Sequence, residues 1–206
     1  MRFGSDNSSF NFLHNPRTGG RHVTEILLNN GYQCYDSPFV NSLFIDDNAF
    51  TEIIHLNYNQ TQIIFEEMRK FTVVRHPVQR FMSALQVSSI SARELDDYDR
   101  FLWYMEECEF NFRVRVHGLT NIPNRWFRSQ HEWCGPDVSV WLFENGFNDN
   151  FAEWLNVELN IGKLKTKNKP TPAIHSVSNK LRANIERYYE KDMELYEMYN
   201  SKSIEA

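Results

Sequence analysis

Residues 71–83 read Phe71-Thr72-Val73-Val74-Arg75-His76-Pro77-Val78-Gln79-Arg80-Phe81-Met82-Ser83, and the hydrophobic period changes in the middle of the stretch. The first residues are a compact β-branched run, the composition of a buried strand. His76-Pro77 ends that run. Proline has no N–H and a fixed φ of about −65°, which suits the first turn of a helix. Beyond it Val78, Phe81, Met82 and Leu85 recur at helical spacing. The stretch is therefore strand, turn and helix, with Arg75 at the carboxyl end of the strand. In sheets built from such units, ligands bind beyond the carboxyl ends of the strands.

The same pattern stands earlier in the chain. Phe10-Asn11-Phe12-Leu13-His14 is strand-like and stops at Asn15-Pro16, before the pair Gly19-Gly20. Val23, Ile26, Leu27 and Asn30 then fall at helical spacing, and Asn29-Asn30-Gly31 is a good helix-ending composition. Between the two units, Phe50 to Leu56 reads as a strand or short apolar segment and Thr61 to Lys70 as a short helix. Downstream, Val138 to Phe143 reads as a buried strand, Asn150 to Asn160 as a helix, and Ser178 to Tyr199 as a helical face bearing Leu181, Ile185, Tyr188, Leu195 and Tyr199. The first nine residues are polar and expected to be loose. The expected fold is α/β: one P-loop-like domain over residues 1–206, with a central, mostly parallel sheet flanked by helices.

Composition narrows the function. The chain has 206 residues, 41% hydrophobic and 15% aromatic, enough for one full core and against disorder. No apolar run approaches the ~20 residues that span a bilayer, and the polar start is no secretory signal. A soluble, cytoplasmic protein is expected, with no membrane partner. At a net charge of −5, no global field attracts nucleic acid. An anionic ligand must be held by a local cluster of cations. Cys34, Cys108 and Cys134 lack CxxC or zinc-ligand spacing, and the seven histidines form no HxxxH pair, so neither a disulfide framework nor a metal is expected.

Two segments carry chemistry. Asn15-Pro16-Arg17-Thr18-Gly19-Gly20 joins strand to helix, and such a turn presents backbone N–H groups and the positive end of the helix dipole, which suits phosphate. Arg17 adds a bidentate cation. An ordinary tight connection has the same composition. A Walker-type nucleotide site needs GxxxxGK[ST], which is absent, as is GxGxxG. In the second segment Arg75 at the strand tip and Ser83 two turns into the helix form a pair suited to clamping a second phosphate; separately, each reads equally well as a surface residue and a helix filler.

Together, Pro16-Arg17-Thr18-Gly19-Gly20-Arg21-His22 and Phe71 to Leu85 resemble the two cofactor-binding segments of sulfotransferases that use 3′-phosphoadenosine 5′-phosphosulfate (PAPS). The resembling branch is that of the heparan-sulfate 2-O- and chondroitin sulfotransferases, sulfotransferase family 2, where the segments usually read PKTGGTS and FxxVRxPxxRxxSAY. Weaker marks are Arg128-Ser129-Gln130, similar to the family's RPQ, Glu144-Asn145, similar to its EN dipeptide, and Tyr189 to Tyr196, similar to its terminal YxxDxxLY. These span residues 10 to about 199.

The resemblance implies transfer of a sulfuryl group from PAPS to a hydroxyl, on a glycan or a small molecule, without a metal. Arg17, Thr18, Gly19, Gly20 and Arg21 would bind the 5′-phosphosulfate, and Arg75 and Ser83 the 3′-phosphate. Arg17 would also act in catalysis, offsetting charge on the leaving oxygen. The general base it implies is His55, in Ile53-Ile54-His55-Leu56, since family members carry a histidine base in a comparable segment. Two departures stand out: Arg17 replaces lysine, and Arg21-His22 replaces a Thr-Ser pair. They keep open a PAPS-binding protein without turnover. A divergent P-loop nucleotide-dependent kinase is the other alternative. His14 either touches ligand or ends its strand; His22 and His76 read as surface and structural residues, and the Lys163–Pro172 loop as a solvated loop or a contact for anions.

Overall fold

In the computed structural model, which describes residues 1–5, 8–35, 43–46, 49–52, 56–65, 67–86, 91–108, 126–162, 164–166 and 176–204, the two decisive stretches fold as their periodicity requires. β1 (Arg2–Ser5) and β2 (Ser8–Leu13) lead to α1 (Gly20–Asn29) and the short β3 (Gln33–Cys34). β4 (Leu43–Asp46) and β5 (Ala49–Glu52) pair with each other as a separate two-stranded sheet. α2 (Tyr58–Phe65), β6 (Lys70–Val74) and α3 (Pro77–Leu85) follow, with Pro77 in the first turn of its helix. Then come α4 (Tyr98–Leu102), β7 (Val138–Leu142), α5 (Asp149–Leu159), α6 (Asn179–Tyr188) and α7 (Glu190–Ile204). The architecture is mixed α/β.

The chain divides into two compact units. The first comprises residues 1–43, 52–75 and 131–172, and the second residues 44–51, 76–130 and 173–206. The first holds a five-stranded sheet in the order β3-β1-β2-β6-β7. The expectation of a mostly parallel sheet is corrected here. β2 pairs with β6 and β6 with β7 in parallel, but β1 is antiparallel to both β2 and β3. The antiparallel half comes from the opening residues that were expected to be loose. Only Asp6 and Asn7 separate the paired Ser5 and Ser8, and the single aromatic of β1, Phe3, is fully buried and stacks on Phe10. One apolar side chain in a polar run gives no periodic signal, yet its burial and a ladder of backbone bonds suffice to order the strand.

One face of the sheet carries Phe3, Phe10, Phe12, Phe71, Val73 and Trp141, covered by Val23, Ile26 and Leu27 of α1 and Phe151, Leu155 and Leu159 of α5. On the other face Leu13 and Val138 pack with Trp133 and with Tyr58 of α2. The start of α2 is fixed by a reciprocal cap, in which Asn57 N–H donates to Gln60 Oε1 and Gln60 N–H to Asn57 Oδ1.

The second unit is built on α3. Its apolar face (Val78, Phe81, Ala84, Leu85) packs against Leu95, Phe101, Phe127, Leu181, Ile185 and Tyr189. The C-terminal segment is two helices broken at Tyr189, whose hydroxyl donates to the carbonyl of Phe127.

Candidate functional site

Because β2, β6 and β7 run parallel, their carboxyl ends share one edge of the sheet. Three segments leave that edge: the turn from His14 to Gly20, Arg75, and a 3-10 turn over Phe143–Asn145. Side chains tie the first turn down. Asn15 Nδ2 donates to the carbonyl of Val73 at 3.2 Å, and Thr72 Oγ1 to that of Leu13 at 2.8 Å. Thr18 is fully buried, with Oγ1 donating to the Asn15 carbonyl at 2.7 Å. Its hydroxyl is thus part of the turn, and its N–H is what remains for a ligand.

Two left-handed residues shape the backbone, Arg17 at φ 67° and Gly19 at φ 87°. α1 then starts at Gly20, and the N–H groups of His22 and Val23 return to the Gly19 carbonyl. The N–H groups of Thr18, Gly19, Gly20 and Arg21 make no hydrogen bond to the described residues. Four successive donors at a helix start form an anion cradle. No acidic residue lies in the first turn of α1 to neutralise it.

Three cations belong to the same turn and its neighbours: Arg17, Arg21 and Arg75. Burial, and then the like charge of Arg21, hold the Arg17 guanidinium below its usual pKa; arginine nevertheless stays charged. A desolvated cation beside a second cation is a site that an anion relieves. Arg75 is 5% exposed. Its guanidinium lies 4.5 Å above the Phe143 ring, and Nη1 donates to the Arg17 carbonyl at 3.4 Å. The two segments read separately from sequence are therefore in direct contact.

Phe143, Phe147 and His14 pack against the turn, a contact that no local pattern announces. A Cβ on Gly19 would meet Phe147 at 2.7 Å and Phe143 at 3.0 Å. A Cβ on Gly20 would fall 1.8 Å from His14 Nε2, because the imidazole, stacked on Phe12, lies against the start of α1. Gly20→Ala is accordingly expected to cost about 1–3 kcal/mol through overpacking. His14→Ala in the same chain should return most of it, measured as a coupling in a denaturation double-mutant cycle. A Gly20→Ala protein as stable as the parent would mean that the ring swings away freely.

No family model matches this chain, and no curated protein matches it in sequence.

Of the residues singled out from sequence, Arg17, Thr18, Gly19, Gly20, Arg21 and Arg75 come together at this edge. His22, in the first turn of α1, sits edge-on to Phe147, with Nδ1 3.6 Å from Glu25. Glu144 and Asn145 are exposed on the turn that carries Phe143. Ser83 lies in α3 of the second unit and is 7% exposed. His76 precedes α3, its ring edge-on to Tyr196; burial, then Arg182, lower its pKa against the opposing pull of Glu186 and Glu197. His55, His117, His175, Lys163 and residues 167–172 lie outside the described residues. Two weak marks of the resemblance meet within the second unit: Asp192 accepts from Ser129 Oγ at 2.5 Å and from Gln130 N–H at 2.7 Å. Among the described residues no helix is long and apolar enough to cross a membrane, and no group of three or more His, Cys, Asp or Glu could hold a metal ion.

Proposed function

We propose that this chain is a PAPS-dependent sulfotransferase acting on a hydroxyl of an acceptor, with a carbohydrate favoured by the branch it resembles. Residues 1–206 act as one P-loop-like sulfotransferase domain, in the reducing setting of the cytoplasm that the unpatterned cysteines suit. The observation that carries the reading is the cradle of four N–H groups at residues 18–21, with the cations Arg17 and Arg21 beside it and Arg75 bonded to the carbonyl of Arg17. Its donors and its charge fit a phosphosulfate. They fit equally without a lysine, because backbone donors do not depend on side-chain identity.

PAPS supplies the activated sulfuryl group and leaves as 3′,5′-adenosine bisphosphate (PAP). The chain's part is positioning and charge, as in phosphoryl transfer. The 18–21 N–H groups hold the 5′ end, and Arg17 offsets charge growing on the leaving oxygen. In this reading Arg75 and Ser83 take the 3′-phosphate, and His55 removes the acceptor's proton.

The test is thermal stabilisation by nucleotide. PAP at a hundredfold excess over its Kd should stabilise the fold by about 2.7 kcal/mol, read as a rise in Tm. Adenosine 5′-monophosphate, which lacks the 3′-phosphate, should do much less. Equal shifts would sink the assignment of Arg75 and Ser83. A second reading, nucleotide binding without turnover, is favoured by His22 standing where the resembling family has a hydroxyl. It predicts the same shift with no PAP formed from PAPS and any hydroxylated acceptor.

A further inference from the structure

Read from sequence, Arg75 has one task, at the 3′-phosphate. Its placement gives it another. The guanidinium is buried over the Phe143 ring and reaches the carbonyl of Arg17. Arg17 holds a left-handed backbone conformation that a residue with a Cβ adopts only when its surroundings impose it. The carbonyl of Arg17 and the N–H of Thr18 belong to one planar peptide group and point in opposite directions. A donor that fixes the carbonyl therefore fixes the N–H as well, and turns it away from Arg75.

We propose that Arg75 is a positioning residue for the phosphosulfate turn, orienting the Thr18 N–H through the Arg17 carbonyl while Phe143 holds the guanidinium in plane. The inference rests on reading that turn as the 5′-phosphosulfate site. It means that the two phosphate subsites are not independent: Arg75 matters even to a ligand that has no 3′-phosphate. Stacking on an aromatic face and a planar fork of donors are properties of arginine that lysine lacks. Arg75→Lys should therefore fail in the turn although it keeps the charge.

Two measurements decide it. The first needs no ligand: amide hydrogen exchange in the free protein at Asn15, His22 and Val23, whose N–H groups bond to the carbonyls of Leu13 and Gly19 on either side of the turn. Loss of a charge-assisted hydrogen bond should raise exchange there about tenfold or more in both Arg75→Ala and Arg75→Lys, with α5 and α6 unchanged. Phe143→Leu, which leaves Arg75 in place but removes its platform, should raise it by less. This variant keeps the test alive if Arg75→Ala folds poorly. The second is calorimetric titration with adenosine 5′-phosphosulfate, which has no 3′-phosphate. Arg75→Ala should weaken it about tenfold or more. Wild-type exchange in the turn and undiminished affinity for adenosine 5′-phosphosulfate, with only PAP binding lost, would overturn the positioning role and leave the sulfotransferase reading standing. If the wild type binds neither nucleotide, the functional reading falls. Slow exchange of Asn15, His22 and Val23 in the wild type and fast exchange in both Arg75 variants would still establish the positioning role.

Discussion

His55→Ala is expected to lower sulfuryl-transfer turnover about 10²–10⁴-fold while PAP affinity and Tm stay near those of the parent. An alcohol is a weak nucleophile at neutral pH, and a positioned base contributes that much by taking its proton as attack proceeds. A neutral imidazole, with an ordinary pKa of about 6.5, is the side chain best suited to the task. The loss corresponds to about 3–5 kcal/mol of barrier. A histidine that only packs predicts the opposite: a less stable protein whose folded fraction turns over normally. Activity per folded molecule, measured beside PAP affinity, separates the two. Near-parental turnover would move the base to His14 or to an acidic residue.

Asp192→Ala should remove about 3–5 kcal/mol of stability, a large part of what a domain of this size has. The carboxylate is fully buried, and it accepts from Ser129 Oγ and from the Gln130 N–H. Alanine removes the acceptor of the fully buried Gln130 N–H and of the partly buried Ser129 hydroxyl. Asp192→Asn should keep most of the stability. Its carbonyl can still accept from Gln130, and the Ser129 hydroxyl can rotate to accept from the new amide. The denaturant midpoint reads the loss, with an unchanged m-value showing that the transition itself is the same. A cost below about 1 kcal/mol in Asp192→Ala would mean that other contacts hold the segment 127–130, among them the packing of Phe127 on Phe81 and its carbonyl bond from Tyr189.

These cases show where local pattern carries information. Periodicity located β2, α1, β6, α3, β7 and α5 to within a few residues, because each must bury one face and its apolar residues repeat at the period of the element. Turn chemistry located the 15–20 turn and the helix start at Pro77 for the same local reason: glycine and proline restrict or free the backbone wherever they stand. Those residues, and the cations beside them, were determined by the sequence alone. The antiparallel edge was not, since β1 owes its order to backbone pairing with β2 and β3 and to one buried phenylalanine. Nor was the burial of Asp192, because a charge on a helix reads as solvated until a partner distant in sequence takes it. The contact of Arg75 with Arg17 and Phe143 joins three strand ends that lie side by side only through parallel pairing. Hydrogen bonds and packing between residues 58 and 68 positions apart leave no mark on local composition, so the tertiary structure alone decided which of the two segments' residues meet.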